Sequence, residues 1–305
     1  MTKIKIPESI AAKTFPGADH GVRDARKCVP TPQTESPSYE LAFADEAFLL
    51  EDEQRGIRLQ LEWQKPDLRQ QQLGIESTIV VFGSARTPSP EAAERRLADV
   101  QEALNHEPNN PGLQAELNQA KRVLKQSTYY AEARELGRLV SASCQVNGKC
   151  NFVVTTGGGP GIMEAANRGA ADVDAKSIGL NIVLPHEQAP NPYMTPELCF
   201  QFHYFAIRKM HFLMRAKALV CFPGGFGTMD ELFEALTLIQ TGKVPPIPIL
   251  LVGKEFWEQA VNFDFFVQEG LISPSDRQYF QFVESAQEAW DCICKFHAIE
   301  QRKND

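Results

Sequence analysis

The chain has 305 residues, 43% hydrophobic and 23% charged, which is enough apolar material for a sizeable core in one large domain or two small ones. Its formal net charge of −8 argues against a nucleic-acid polymer or an anionic membrane as main partner, because both need a basic footprint. A small anionic ligand, which needs only a local positive site, stays open.

Residues 1–38 are rich in Pro, Ser, Thr and Lys and show no sustained period, which reads as an arm lying along a surface or partly disordered. Met1–Lys13 lacks the apolar stretch of a secretory leader. The seven cysteines are scattered in no zinc or redox pattern, and the three central histidines, His186, His203 and His211, fit no ligand spacing. A cytoplasmic protein with no metal and no cofactor is therefore expected. Residues 39–71 carry Leu41, Phe43, Phe48, Leu49, Ile57, Leu59 and Leu61 among many charges and predict a helix, so that 1–72 forms an N-terminal extension.

The main fold, 73–305, begins with the β-branched run Ser77–Phe82, which stops at Gly83-Ser84. Charged helical stretches follow at 90–106 and 113–143, broken at Pro108-Asn109-Asn110-Pro111-Gly112. The first of them and the start of the second, about 90–125, look like an inserted helical hairpin. A strand at Phe152–Thr156 ends in Gly157-Gly158-Gly159-Pro160-Gly161, and a helix is expected over 161–171. Further strands fall at 177–184, 198–204, 217–222, 247–252 and 278–283, and further helices at 205–215, 227–241, 254–269 and 285–299. Strands alternating with helices give an α/β class: a Rossmann-like, doubly wound, mostly parallel sheet with helices on both faces. In such a sheet ligands bind at the carboxyl ends of the strands, near the reversal of strand order. Three glycine-bearing strand ends, Gly83–Arg86, Gly157–Gly161 and Pro223–Thr228, therefore converge on one crevice.

Pro223-Gly224-Gly225-Phe226-Gly227-Thr228 opens a helix, whose first turn offers unpaired N–H groups and partial positive charge to an anion. The glycines also fit a plain tight strand-to-helix connection. Neither glycine cluster matches a dinucleotide or Walker fingerprint, because the third glycine and the Lys-Ser/Thr pair are missing, so a mononucleotide site remains. Glu231 stands about one helical turn past Thr228, within reach of the anomeric carbon of a ribose 5-phosphate held at the turn. Alone it would read as a favourable acid near a helix N-terminus. Arg208 falls at a helix start, where the dipole disfavours a cation, which hints at another task; otherwise it is a solvated surface residue. Met163 can cover a base or serve as ordinary core. Glu187, just past Leu184-Pro185, can accept a hydrogen bond from a base amino group.

With these residues in view, Pro223-Gly224-Gly225-Phe226-Gly227-Thr228-Met229-Asp230-Glu231 resembles the PGGxGTxxE signature of the Lonely Guy family, nucleoside-5′-monophosphate phosphoribohydrolases long labelled lysine decarboxylases. Arg208-Lys209 resembles its Arg-Lys pair, Gly157–Met163 its second glycine turn and Gly83-Ser84 its first, over about residues 77–285. The resemblance implies hydrolysis of the N-glycosidic bond of an AMP-like or cytokinin nucleotide, with Arg208 and Glu231 catalytic. It places Gly83, Ser84, Gly158, Gly159, Met163, Lys209, Gly224, Gly225, Gly227 and Thr228 around the phosphate and nucleotide, and implies a homodimer or larger assembly. The extension and the hairpin set this chain beside the longer bacterial members. Decarboxylation has no support, since no Ser-x-His-Lys stretch offers a Schiff-base lysine. A molybdenum-cofactor carrier of the same fold, or a nucleotide sensor, stays as the non-catalytic alternative.

Overall fold

β-Branched and aliphatic runs set the strands, and the glycines and prolines that follow them set the turns. The structure, a computed structural model, describes residues 17–145, 150–185 and 189–299. Among these, seven strands form one sheet: β1 (Thr78–Phe82), β2 (Val153–Thr156), β3 (Ser177–Ile182), β4 (Cys199–Phe202), β5 (Ala216–Cys221), β6 (Ile249–Val252) and β7 (Gln281–Val283). Their order is β4-β3-β2-β1-β5-β6-β7, and every neighbouring pair is parallel. The strand order reverses between β1 and β5, so the crevice at the carboxyl ends of these two strands is where such a sheet receives its ligand.

The helices are α1 (Ala18–Ala25), α2 (Glu46–Leu50), α3 (Arg55–Gln72), α4 (Pro90–His106), α5 (Pro111–Cys144), α6 (Ile162–Ala171), α7 (Phe205–Met214), α8 (Phe226–Gln240), α9 (Lys254–Ala260), α10 (Phe263–Gln268) and α11 (Ala286–His297). Alternation along β1 sends Val80 and Phe82 to one face and Ile79 and Val81 to the other. The first face packs on Phe212, Leu232 and Trp257 of α7, α8 and α9. The second packs on Leu136, Ala165 and Ile293 of α5, α6 and α11. Both faces are covered, as a parallel sheet requires, and the strands are correspondingly apolar throughout. The fold is thus the doubly wound α/β class that the alternation of elements predicts.

The chain separates into two units, Met1–Leu61 and Glu62–Asp305. In the first, residues 17–61 contain no buried side chain. Within the stretch 1–38 expected as an arm, Ala18–Ala25 forms α1, and the part before residue 17 lies outside the described residues. The single helix expected over 39–71 is divided. Asp45 accepts the Phe48 N–H (2.9 Å) and caps the short α2, and the long helix begins only at Arg55. The helix expected over 254–269 is likewise two, because the Asn262 side chain accepts the Phe265 N–H (3.0 Å) and restarts the chain. The strand expected at 278–283 keeps only three residues, since Pro274–Tyr279 forms a 3-10 turn behind a Ser273–Asp276 capping box. The hairpin expected at about 90–125 is present as α4 packed on α5. Among the described residues no helix is long and apolar enough to cross a membrane.

Candidate functional site

Backbone hydrogen bonds draw the three glycine-bearing strand ends together. The Ser84 N–H donates to the Pro223 carbonyl (3.0 Å), and the Ser84 carbonyl accepts the Ile162 N–H (3.1 Å). One residue after β1 thus ties the turn after β5 to the helix after β2. Above this junction lies a cleft of about 960 Å³. Gly83, Ser84, Met163, Arg208, Gly224, Gly225, Gly227, Thr228 and Glu231 all line it, so most of the residues singled out in the sequence meet in one place.

The turn after β5 is open where a ligand would need it open. A Cβ built on Gly225 or Gly227 meets nothing within 4 Å, and neither residue has a positive φ. Gly224 differs, because a Cβ there would sit 2.1 Å from Thr228 Oγ1, which folds back over the turn. Gly225 is the N-cap of α8 and no side chain caps the helix. The first N–H groups of α8 therefore face the cleft with their share of the helix dipole.

Glu231 lies one turn into α8 and is 6% exposed. Burial pushes its carboxyl up to about 7, Lys209 and Arg208 pull it down, and Glu234 and Asp230 push it further up. A carboxyl that titrates near neutrality can hold or release a proton under working conditions. The buried Cys221 thiol at the end of β5 is pushed well up by desolvation and by the Glu231 charge.

Arg208 reaches the cleft from the first turn of α7. Its Nε donates to the Leu180 carbonyl (2.6 Å), and its guanidinium lies 5.1 Å from the Phe212 ring centre. Gly157 makes room for it: a Cβ there would sit 2.8 Å from Arg208 Nη2 and 2.9 Å from Met163 Sδ. Arg208, Gly157 and Met163 therefore form one packed wall.

Other predicted residues fall elsewhere. Lys209 does not line the cleft; its Nζ pairs with Asp230 (2.9 Å) and Glu234 (3.2 Å), bracing α7 against α8. Gly158 and Gly159 stand behind the lining, where Asn191 Nδ2 donates to both carbonyls (3.2 and 3.1 Å). Glu187 lies outside the described residues. Glu164, beside Met163, accepts the Tyr130 hydroxyl (2.7 Å) and takes no part in the cleft. Arg86, Phe205 and Phe226, to which the sequence pattern assigns no role, also line it. Phe226 is 97% exposed. The signal was present for Arg86, two residues past Ser84, but a lone arginine in a turn or a phenylalanine opening a helix carries no pattern.

The family described as "Possible lysine decarboxylase" matches residues 163–293, from Met163 at the cleft wall into α11. A "Probable cytokinin riboside 5′-monophosphate phosphoribohydrolase" of Oryza sativa subsp. japonica is 29% identical over 49% of this chain and 71% of its own length. A cytokinin riboside 5′-monophosphate phosphoribohydrolase of Arabidopsis thaliana is 28% identical over 54% of this chain and 74% of its own. Among solved structures, a Moco carrier protein from Chlamydomonas reinhardtii aligns with a TM-score of 0.43 and 17% identity, covering 73% of this chain and 98% of that one.

Proposed function

We propose, from the premise that this chain belongs to the Lonely Guy family, that it hydrolyses the N-glycosidic bond of a nucleoside 5′-monophosphate to give free base and ribose 5-phosphate. The observation that carries this reading is the buried Glu231 carboxyl, raised to about 7, in the same cleft as Arg208 and one turn from the open glycine turn.

In this reading the 5′-phosphate rests on the N–H groups of Gly225, Phe226 and Gly227 at the head of α8, with the Thr228 hydroxyl beside it. The ribose then lies over the first turn of the helix, and its C1′ comes within reach of Glu231. As the C1′–N bond breaks, the bonding pair leaves with the base and positive charge grows on the ribose ring. The Glu231 carboxylate stabilises that charge and takes a proton from the attacking water. The water oxygen bonds to C1′, and the proton passes to the departing base. Arg208 supplies positive charge to the electron-rich side of the reaction, and its fixed bond to the Leu180 carbonyl keeps it there without rearrangement. AMP-like nucleotides, cytokinin riboside monophosphates included, are the substrates this reading names; its setting is the cytosol, in a homodimer or larger assembly.

Incubation of the purified protein with AMP, GMP, CMP and UMP, with chromatography of free base and ribose 5-phosphate, tests the reading. Release of base from one or more of them is the expected result. Binding without release would replace it with the carrier or sensor alternative.

A further inference from the structure

The helix that carries Arg208 begins without a cap of its own. Tyr204 occupies the N-cap of α7 and no side chain of the neighbouring sequence accepts the N–H groups there. Ser, Thr, Asp or Asn would normally do so, and losing such a cap costs about 0.5–2 kcal/mol. The N–H groups of the N-cap residue and of the residue before it are instead held by an acceptor far away in sequence. Glu62, on α3, takes the His203 N–H on one carboxylate oxygen (2.7 Å) and the Tyr204 N–H on the other (3.0 Å). A carboxylate at a helix N-terminus is favoured by the dipole as well.

α3 touches α7 at two more points. The Trp63 ring lies 5.2 Å from the ring of His211, which is buried at 5% exposure between Trp63 and Phe202. At the other end, Asp67 pairs with Arg215 (2.5 Å), the C-cap residue of α7, both largely shielded from water. One face of α3 therefore grips α7 at its start, its middle and its end. The grip at the start leads straight to the site. Tyr204, held by Glu62, accepts in turn the backbone N–H of Arg208 (3.2 Å), and Arg208 lines the cleft.

We propose that Glu62 is a positioning residue for the hydrolysis, acting through the start of α7 to hold Arg208 in the cleft. This rests on the phosphoribohydrolase reading given above. Glu62 touches no part of the cleft itself, so its effect belongs to the chemical step and not to the hold on the phosphate, which the turn after β5 supplies independently. Small displacements of a positioned group lower rates about 100-fold in unfavourable cases.

The test is a double-mutant cycle of Glu62→Ala and Arg208→Ala with AMP as substrate, with Glu62→Gln as the conservative control. Glu62→Ala should lower kcat about 10- to 100-fold with KM changed by less than about threefold. In the Arg208→Ala background it should lower kcat by less than about twofold. Glu62→Gln, which keeps one acceptor oxygen, should fall between wild type and Glu62→Ala, and carries the comparison alone if the alanine variant does not fold. An equal loss of kcat in both backgrounds, or a lowered melting temperature with unchanged kcat, overturns the proposal. If the wild-type protein releases base from no nucleotide, the reaction is wrong and the positioning claim is decided separately. The Glu231 carboxyl is then titrated by NMR in the ligand-free protein. Its midpoint should rise in Glu62→Ala, because a displaced Arg208 stabilises the carboxylate less, and an unmoved midpoint overturns the claim.

Discussion

After β2 the chain turns through Gly157–Gly161, and after β5 through Pro223–Gly227. Both turns are rich in glycine, and both lead from a buried strand into a helix at the cleft. In the first, Gly158 and Gly161 have φ of +78° and +72°. A Cβ on Gly158 would lie 2.2 Å from Asn181 Oδ1, and one on Gly161 would lie 2.4 Å from the Ser84 carbonyl oxygen. A buried network holds this turn. Thr156 Oγ1 donates to Asn167 Oδ1 (2.7 Å) and accepts the Gly158 N–H (3.0 Å), while Asn191 Nδ2 donates to the same Asn167 oxygen (3.1 Å). In the second turn, no described residue fills the space in front of Gly225 and Gly227. The fold itself requires glycine at Gly158 and Gly161. At Gly225 and Gly227 the fold makes no such demand, and only a ligand in the cleft would need that space kept empty. Two similar stretches of sequence can thus be glycine for unrelated reasons, and only the surroundings of the absent Cβ separate them.

That contrast breaks or sharpens under substitution. The largest effect is expected at Gly161→Ala, where a left-handed φ and a clash with backbone atoms combine; it should cost about 3 kcal/mol or more of stability, measured by denaturant unfolding. A stable, unchanged fold would make the first turn as permissive as the second. Next comes Glu231→Gln, which should lower turnover on the order of 10²-fold while AMP still raises the melting temperature. Near-normal turnover removes Glu231 from the chemistry.

The same variant reports on burial. Folded Glu231 keeps its proton up to about 7, against an ordinary value of 4.5, so between these pH values the folded state binds more protons than the unfolded one. Stability therefore falls as pH rises through that window. Glu231→Gln has no such proton to lose, and its melting temperature should exceed that of wild type at pH 8 and match it near pH 4. Parallel melting curves for the two proteins across pH would show that Glu231 titrates normally. The smallest change is expected at Gly227→Ala. Alanine in the first turn of α8 should raise stability by about 0.5–1 kcal/mol, and the melting-temperature protection given by AMP should shrink because the added methyl occupies ligand space. Undiminished protection by AMP would mean that the phosphate does not approach this turn.

Much of this was legible in the sequence. Short apolar strands ending in glycine fixed the three strand ends, and the reversal rule for parallel sheets brought them to one cleft. What was hidden depends on side chains that meet only after folding. Lys209 is one residue from Arg208 and was read with it, yet α8 presents Asp230 and Glu234 to it and holds it outside the cleft. The Asn167–Asn191 contact and the Glu62 cap join residues 24 and 141 positions apart, and no local pattern announces them. The break between α9 and α10 is a different case, since Asn262 followed by Phe263-Asp264 is a capping signal that outweighs an apolar period running through it.

The buried carboxyl also sets what a search for heat resistance alone would find. A library of variants selected only for survival at high temperature, with no demand for catalysis, would drift away from Glu231 towards a neutral residue and from Gly227 towards alanine. Gly158 and Gly161 would stay. The positions lost first would mark the site, because there the chain departs from the sequence its own stability would choose.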